Sequence, residues 1–252
     1  MIFDSHAHLN DGCFEDRDQI IGELAENGVA YVLNPGADIK TSQEAYGLSL
    51  EYDNIYCGLG THPHDAKDFK EEDLIAYRDL SKHEKVVAIG EIGLDFYYDN
   101  SPKDIQNKVF RMQMDLAANV GLPVLIHSRQ ATQETYDCLK EYDGKVRGVI
   151  HCYSDNWENA KKFLDLGYYI GIGGMVTFKN ASEVREVAEK LPIDSLLLET
   201  DAPYLSPVPH RGKRNEPKFI KYVAEKIANL RNEDLNFIIY KTHANTLEML
   251  GL

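Results

Sequence analysis

Short apolar runs rich in β-branched residues alternate along the chain with longer stretches whose apolar positions recur every three or four residues. The runs IFDSHAHL, YVLNPG, IYCGLGTH, VVAIGEIGLD, PVLIHSR, GVIHCYS, YYIGIGG and LLLETDAP read as strands separated by polar or glycine-bearing turns. DRDQIIGELAENG, NKVFRMQMDLAANVG and NWENAKKFLDLG read as helices. They close on Gly28, Gly121 and Gly167, glycines suited to the left-handed position after a last helical turn. Strands alternating with helices predict parallel pairing. Eight such units in 252 residues predict an α/β fold, a (β/α)₈ TIM barrel forming a single domain over 1–252. Residues 217–230 and 234–250 predict two closing helices after the eighth strand, which leaves an extra C-terminal helix beyond the eightfold repeat. An open doubly wound sheet is the competing architecture, and the lack of a G-x-G-x-x-G after the first strand disfavours a dinucleotide fold.

Composition narrows the setting. No apolar stretch approaches the roughly 18 residues needed to cross a bilayer, and no basic segment followed by a long apolar run opens the chain. Cys13, Cys57, Cys138 and Cys152 are scattered and form no C-x-x-C pair, so a reducing, cytoplasmic setting without disulfides is expected. Neither a membrane nor an obligate protein partner is expected. Lysine and arginine number 27 against 41 acidic residues, a formal net charge of -14. Such a surface repels phosphates at long range, which argues against a general nucleic-acid coat protein. A local site could still bind a phosphodiester, provided it carries its own positive charge.

The chemistry gathers where the strands end, the face on which barrels of this kind place their active sites. His6 and His8 end the first strand, where alternate residues point to one side. His62 and His64 end the third, Glu91 and Asp95 the fourth, His127 the fifth, His151 the sixth, and Glu199 and Asp201 the eighth. Six of the nine histidines therefore fall at strand ends, and His210 lies in a loop beyond the eighth strand. One histidine at a strand end is ordinarily a hydrogen-bonded structural residue; the concentration is what carries weight. Glu91 in AIGEIGLD and Glu199 and Asp201 after three leucines add carboxylates where burial is costly unless they are paired or bind a cation. Imidazoles and carboxylates without thiolates point to divalent cations in a reactive site and away from a closed structural zinc site. Six ligands exceed one open tetrahedral site and suit two cations about 3.5 to 4 Å apart bridged by a carboxylate, an arrangement for metal-assisted hydrolysis.

The motifs FDSHAHLN, GTHPH, AIGEIGLDFYYD, PVLIHSRQA, HCYS, GIGG, LLLETDAPYL and HRGKRNEP run in order over essentially the whole chain. This succession resembles the TatD family of metal-dependent deoxyribonucleases, within the amidohydrolase-like superfamily. The first motif is shared by many amidohydrolases; GEIGLDFY, LETDAPYL and RGKRNEP are specific. The resemblance implies that His6, His8, Glu91, His127, His151 and Asp201 are the metal ligands. It places Glu91 at the bridging position and Asp201 against both metal and attacking water, as general base or orienting group. It also implies two divalent cations, Mg²⁺ or Mn²⁺ in action with Zn²⁺ or Ni²⁺ able to bind, and 3′-to-5′ exonuclease action on single-stranded or frayed DNA.

Other residues admit two readings each. His62 could orient water or touch the scissile phosphate, or GTHPH could simply shape a rigid turn around Pro63. Glu199 shares a strand face with Asp201 and could serve as a base or hold a ligand histidine. Arg129 could clamp a phosphate or form a surface ion pair. His210, Arg211, Lys213 and Arg214 form a basic loop after the eighth strand, where barrels often bind phosphate, and would make a positive funnel on an acidic protein. Phe96, Tyr97, Tyr98, Tyr153 and Tyr204 could stack bases or serve as packing. Rival functions are an amidase or aminoacyl-tRNA deacylase using the same metal site, and a non-catalytic metal-binding scaffold.

Overall fold

The structure, a computed structural model, describes residues 1–98 and 100–252. Eight strands follow one another in sequence order around one sheet, each parallel to the next. They are β1 (Ile2–Asp4), β2 (Val29–Pro35), β3 (Ile55–Leu59), β4 (Val86–Asp95), β5 (Val124–Arg129), β6 (Gly148–Ile150), β7 (Tyr169–Ile172) and β8 (Leu196–Leu198). The crossover helices are α1 (Arg17–Gly22), α2 (Ile39–Glu51), α3 (Glu71–Leu80), α4 (Lys103–Val120), α5 (Thr132–Glu141), α6 (Trp157–Asp165), α7 (Ser182–Lys190) and α8 (Ile220–Arg231). α9 (Leu235–Leu250) is the additional C-terminal helix. The architecture is the TIM barrel that the alternation predicts.

Two local differences have physical causes. The helix expected over 16–28 stops at Gly22, a weak helix former, and a single 3₁₀ turn at Ala25–Asn27 completes the path to Gly28 at φ 80°. The first strand, expected to reach His8, ends at Asp4 because the chain beyond it bonds to both neighbours in turn. Ser5 N–H donates to Leu198 O at 3.0 Å, Ala7 N–H to Leu33 O at 3.0 Å, and His8 N–H to Ala202 O at 2.7 Å. Asp201 N–H donates back to His6 O at 2.9 Å, so the segments that close the barrel seam are also those bearing His6, His8 and Asp201.

Inside the barrel, Phe3, Leu33, Val87, Leu125, Val149 and Leu197 pack as a buried floor. Their strand neighbours Val32, Val124, Ile150, Leu196 and Leu198 point the other way, into the layer beneath the helices. Met249 and Leu250 of α9 complete the floor, and Asn245 Nδ2 ties that helix to Ile193 O at 2.7 Å and Leu196 O at 2.9 Å. No helix among the described residues is long and apolar enough to cross a membrane.

Candidate metal centre

Local backbone features aim the side chains. Between Ile89 and Ile92 the β4–β5 register shifts, three steps on β4 against two on β5, and this bulge turns Glu91 into the barrel mouth. Gly90 sits there at φ 154°, and a Cβ on it would lie 2.5 Å from Leu125 Cβ, so only glycine fits. Asp201 adopts the left-handed region at φ 56°, a conformation costing of order 1 kcal/mol for a non-glycine residue. The seam bonds on either side hold it there.

The outcome is a cage around one carboxylate. Glu91 Oε2 lies 3.3 Å from His6 Nε2 and 3.5 Å from His8 Nε2. Its other oxygen, Oε1, lies 2.9 Å from His127 Nδ1, 3.5 Å from His62 Nε2 and 3.7 Å from His151 Nε2. Asp201 Oδ1 faces His8 Nε2 at 3.7 Å and His151 Nε2 at 3.6 Å. Four overlapping groups of donor atoms, each within 4.8 Å of one another, form from His6, Glu91 and His151; His6, His8 and Asp201; His62, Glu91 and His127; and His151, Cys152 and Asp201. His6 and His8 also bring their Nε2 atoms to 3.2 Å, crowding two imidazole nitrogens against a single carboxylate oxygen. Hard oxygens mixed with imidazole nitrogens, converging at this range, fit divalent cations.

The electrostatics agree. Burial pulls His6 and His62 well below the ordinary histidine value. Burial raises the Glu91 carboxyl, but His62, His6 and His151 outweigh it and hold the group well below its usual range. His8 moves up because Glu91 overcomes burial, and His127 because Asp95 and Glu91 do. His151 reaches about 10 against the same opposition, through Glu199, Glu91 and Asp201. Burial lifts Asp201 to about 6, tempered by His151 and His8. The raised histidines reflect the negative charge these carboxylates concentrate. A divalent cation held by these residues would supply positive charge in place of their protons.

Around the cage, several residues act by holding others. Glu199 is fully buried: Oε2 meets His151 Nδ1 at 3.1 Å and Oε1 accepts the Cys152 N–H at 2.6 Å. With both oxygens engaged, it orients His151 instead of facing the mouth. Gly171 leaves the room it needs, since a Cβ there would stand 2.4 Å from Glu199 Oε2. His62 Nδ1 accepts the His64 N–H at 3.2 Å, which leaves its proton on Nε2, facing Glu91.

Asp95 and Asp4 carry roles that sequence reading missed. Asp95 Oδ2 meets His64 Nε2 at 2.9 Å and His127 Nε2 at 3.1 Å, while Oδ1 accepts from Tyr97 N at 2.9 Å and Tyr98 N at 3.0 Å. Its even spacing from Glu91 along one strand was the available signal. Asp4, two residues before His6, accepts from Thr200 Oγ1 at 2.6 Å, Thr200 N at 2.9 Å and His6 N at 3.3 Å beneath the cage. Burial pushes its carboxyl up to about 7.

The residues expected to meet substrate divide. Arg129 lies over the Tyr97 ring at 4.0 Å and the Tyr98 ring at 4.9 Å, and no carboxylate among the described residues pairs with it. Arg211 lies over Phe178 at 3.7 Å, and Lys213 is exposed. His210 is stacked on Phe219, centroids 3.9 Å apart. Arg214, expected in the phosphate funnel, is committed elsewhere. It forks onto Asp16 at 2.7 and 2.8 Å, reaches Glu216 at 3.3 Å and covers Phe14, so its guanidinium is already paired with two carboxylates.

Comparison with known proteins accords with this architecture. Residues 3–251 match the model of the family described as TatD related DNase. The chain is 48% identical to the uncharacterized metal-dependent hydrolase YabD of Bacillus subtilis (strain 168), covering 100% of both chains. It is 33% identical to the 3′-5′ ssDNA/RNA exonuclease TatD of Shigella flexneri serotype 5b, covering 100% of this chain and 99% of that one. The crystal structure of YJJV, a TatD homologue from Escherichia coli K12, superposes with a TM-score of 0.94 at 31% identity, over 100% of this chain and 98% of that one. With its eight-stranded barrel and its His, Glu and Asp cage, the chain belongs to the TatD family of metal-dependent hydrolases, built on an amidohydrolase-like fold.

Proposed function

We propose that the protein hydrolyses DNA phosphodiester bonds as a 3′-to-5′ exonuclease on single-stranded or frayed ends, with two divalent cations. The observation that carries this reading is the division of Glu91, whose two oxygens face separate sets of imidazoles. His6, His8, Asp201 and Oε2 of Glu91 would hold one cation; His127, His151 and Oε1 would hold the other. Bound there, divalent cations supply an acidified water and neutralise charge on a phosphoryl group. Asp201 takes the proton from the attacking water. His62, its Nε2 proton at the cage edge, donates to a phosphoryl oxygen. Glu199 keeps His151 turned inward. Arg129, Arg211 and Lys213 draw the phosphate chain toward the mouth of an otherwise acidic molecule. The name borne by the Shigella flexneri relative, 3′-5′ ssDNA/RNA exonuclease, supports both the polarity and the single-stranded preference and brings RNA within range.

The test is a 5′-labelled single-stranded oligonucleotide incubated with Mg²⁺ or Mn²⁺, comparing wild type with Asp201→Asn. A ladder of products shortened from the 3′ end, absent with the variant, is expected. Intact oligonucleotide with both metals would sink the proposal.

A further inference from the structure

Beside the cage, the loop after β4 exposes two adjacent tyrosines, Tyr97 at 53% and Tyr98 at 45%. They differ from the third exposed tyrosine at this mouth, Tyr204, whose hydroxyl is tied to Asp11 at 3.1 Å. Their rings meet edge to face at 4.8 Å, and the Arg129 guanidinium lies against both. A guanidinium over a tyrosine face is attracted by the ring quadrupole and helps to hold the ring in place. Tyr98 also meets His64 edge to face at 5.3 Å.

What holds these rings is the same carboxylate that holds the metal side. Oδ1 of Asp95 accepts the Tyr97 and Tyr98 N–H groups, while Oδ2 meets His127 and His64. One buried side chain therefore fixes the aromatic surface and a cage histidine in a single geometry. Two exposed tyrosine rings set at 88° to each other, with a guanidinium against both and a rigid link to a site for phosphoryl chemistry, match one ligand class well: a base attached to the phosphate being cleaved. Inside a duplex both faces of a base are covered by stacking, and the end base has one face free. An unpaired base is free to swing onto the rings, so the surface favours unpaired bases.

We propose that Tyr97, Tyr98 and Arg129 form a nucleobase subsite that stacks an unpaired base of the bound strand and so sets the preference for single-stranded ends. This rests on the nuclease reading above. The test compares a thymidine oligonucleotide about 12 nucleotides long with one of equal length carrying abasic residues at its 3′ end. The pair Tyr97→Ala/Tyr98→Ala should raise KM on the thymidine strand by about 5- to 150-fold, with kcat within about threefold. It should leave the abasic strand unchanged, and Tyr97→Phe/Tyr98→Phe should restore wild-type KM. An equal rise on both strands, or none on the thymidine strand, overturns the subsite. If wild type cleaves neither strand, the nuclease reading falls, and the subsite is judged by binding of the labelled thymidine strand in EDTA. Binding weakened in the alanine pair alone supports it; no binding to wild type, or equal binding by all three proteins, overturns it.

Discussion

The two ends of the barrel are made from the same strands and obey opposite rules. At the floor, Phe3, Leu33, Leu125 and Leu197 need only to exclude water, and each buried side chain contributes roughly 1.5 to 3 kcal/mol. At the mouth, His6, Glu91, Asp95, His151 and Glu199 are as deeply buried, yet each is stable there only through specific partners. Volume sets the tolerance of the floor, whereas pairing sets that of the mouth. Stability and reactivity are thus separated along the barrel axis, within strands of three to ten residues.

The sharpest break of that contrast is Glu91→Gln. Metal-dependent phosphodiester cleavage should fall about a thousandfold. The rise in Tm on adding Mn²⁺, expected for wild type by mass action, should vanish with it. A thermal scan with and without metal checks the second part. On the floor, Leu197→Ala should cost about 2 to 5 kcal/mol in urea unfolding while kcat per folded molecule is unchanged; a lost kcat would show that the two ends are not separable. Glu199→Gln, which frees His151 to turn, should weaken metal affinity about 10- to 100-fold in a chelator-dye competition.

The same competition has a pH dependence whose sign follows from the cage. His8, His127 and His151 are raised, His151 to about 10, so protons compete with the cation for their nitrogens. Apparent affinity should therefore climb as pH rises through neutrality toward about 10, where His151 loses its proton, by about tenfold per unit for each proton displaced. The smallest effect separates two arginines of one loop. Arg211→Ala should raise KM a few-fold and flatten its salt dependence by about one phosphate contact. Arg214→Ala should change KM less than about twofold, because its fork belongs to Asp16.

Much of this was legible from residue order because apolar runs, glycines and buried polar residues each have few physical explanations. VVAIGEIGLD is a strand throughout, and Gly28, Gly121 and Gly167 take the left-handed angles their positions suggested. The roster of strand ends did bring His6, His8, His62, Glu91, His127, His151 and Asp201 to one cage. What stayed hidden were choices made between distant residues. Nothing near Arg214 says that Asp16 will claim it, since the two are 198 residues apart. Whether Glu199 would face the mouth or His151 turned on the space left by Gly171, on another strand. Asp95 was visible as a residue, but its joining of His127 to the Tyr97–Tyr98 loop appears only once a carboxylate has two oxygens pointing in different directions.

The seam gives the cage a timetable. Asp4 and Thr200, which underpin its two halves, lie 196 residues apart, and the bond from Asp201 to His6 closes the barrel beside them. On a ribosome adding about 5 to 20 residues per second, His6 and His8 wait roughly 10 to 40 s for these partners to emerge. Until then the growing chain has its histidines and Glu91 but not the seam bonds and Asp201 that complete the cage. The cage is therefore complete only when the barrel shuts, and a truncated or stalled product lacks it.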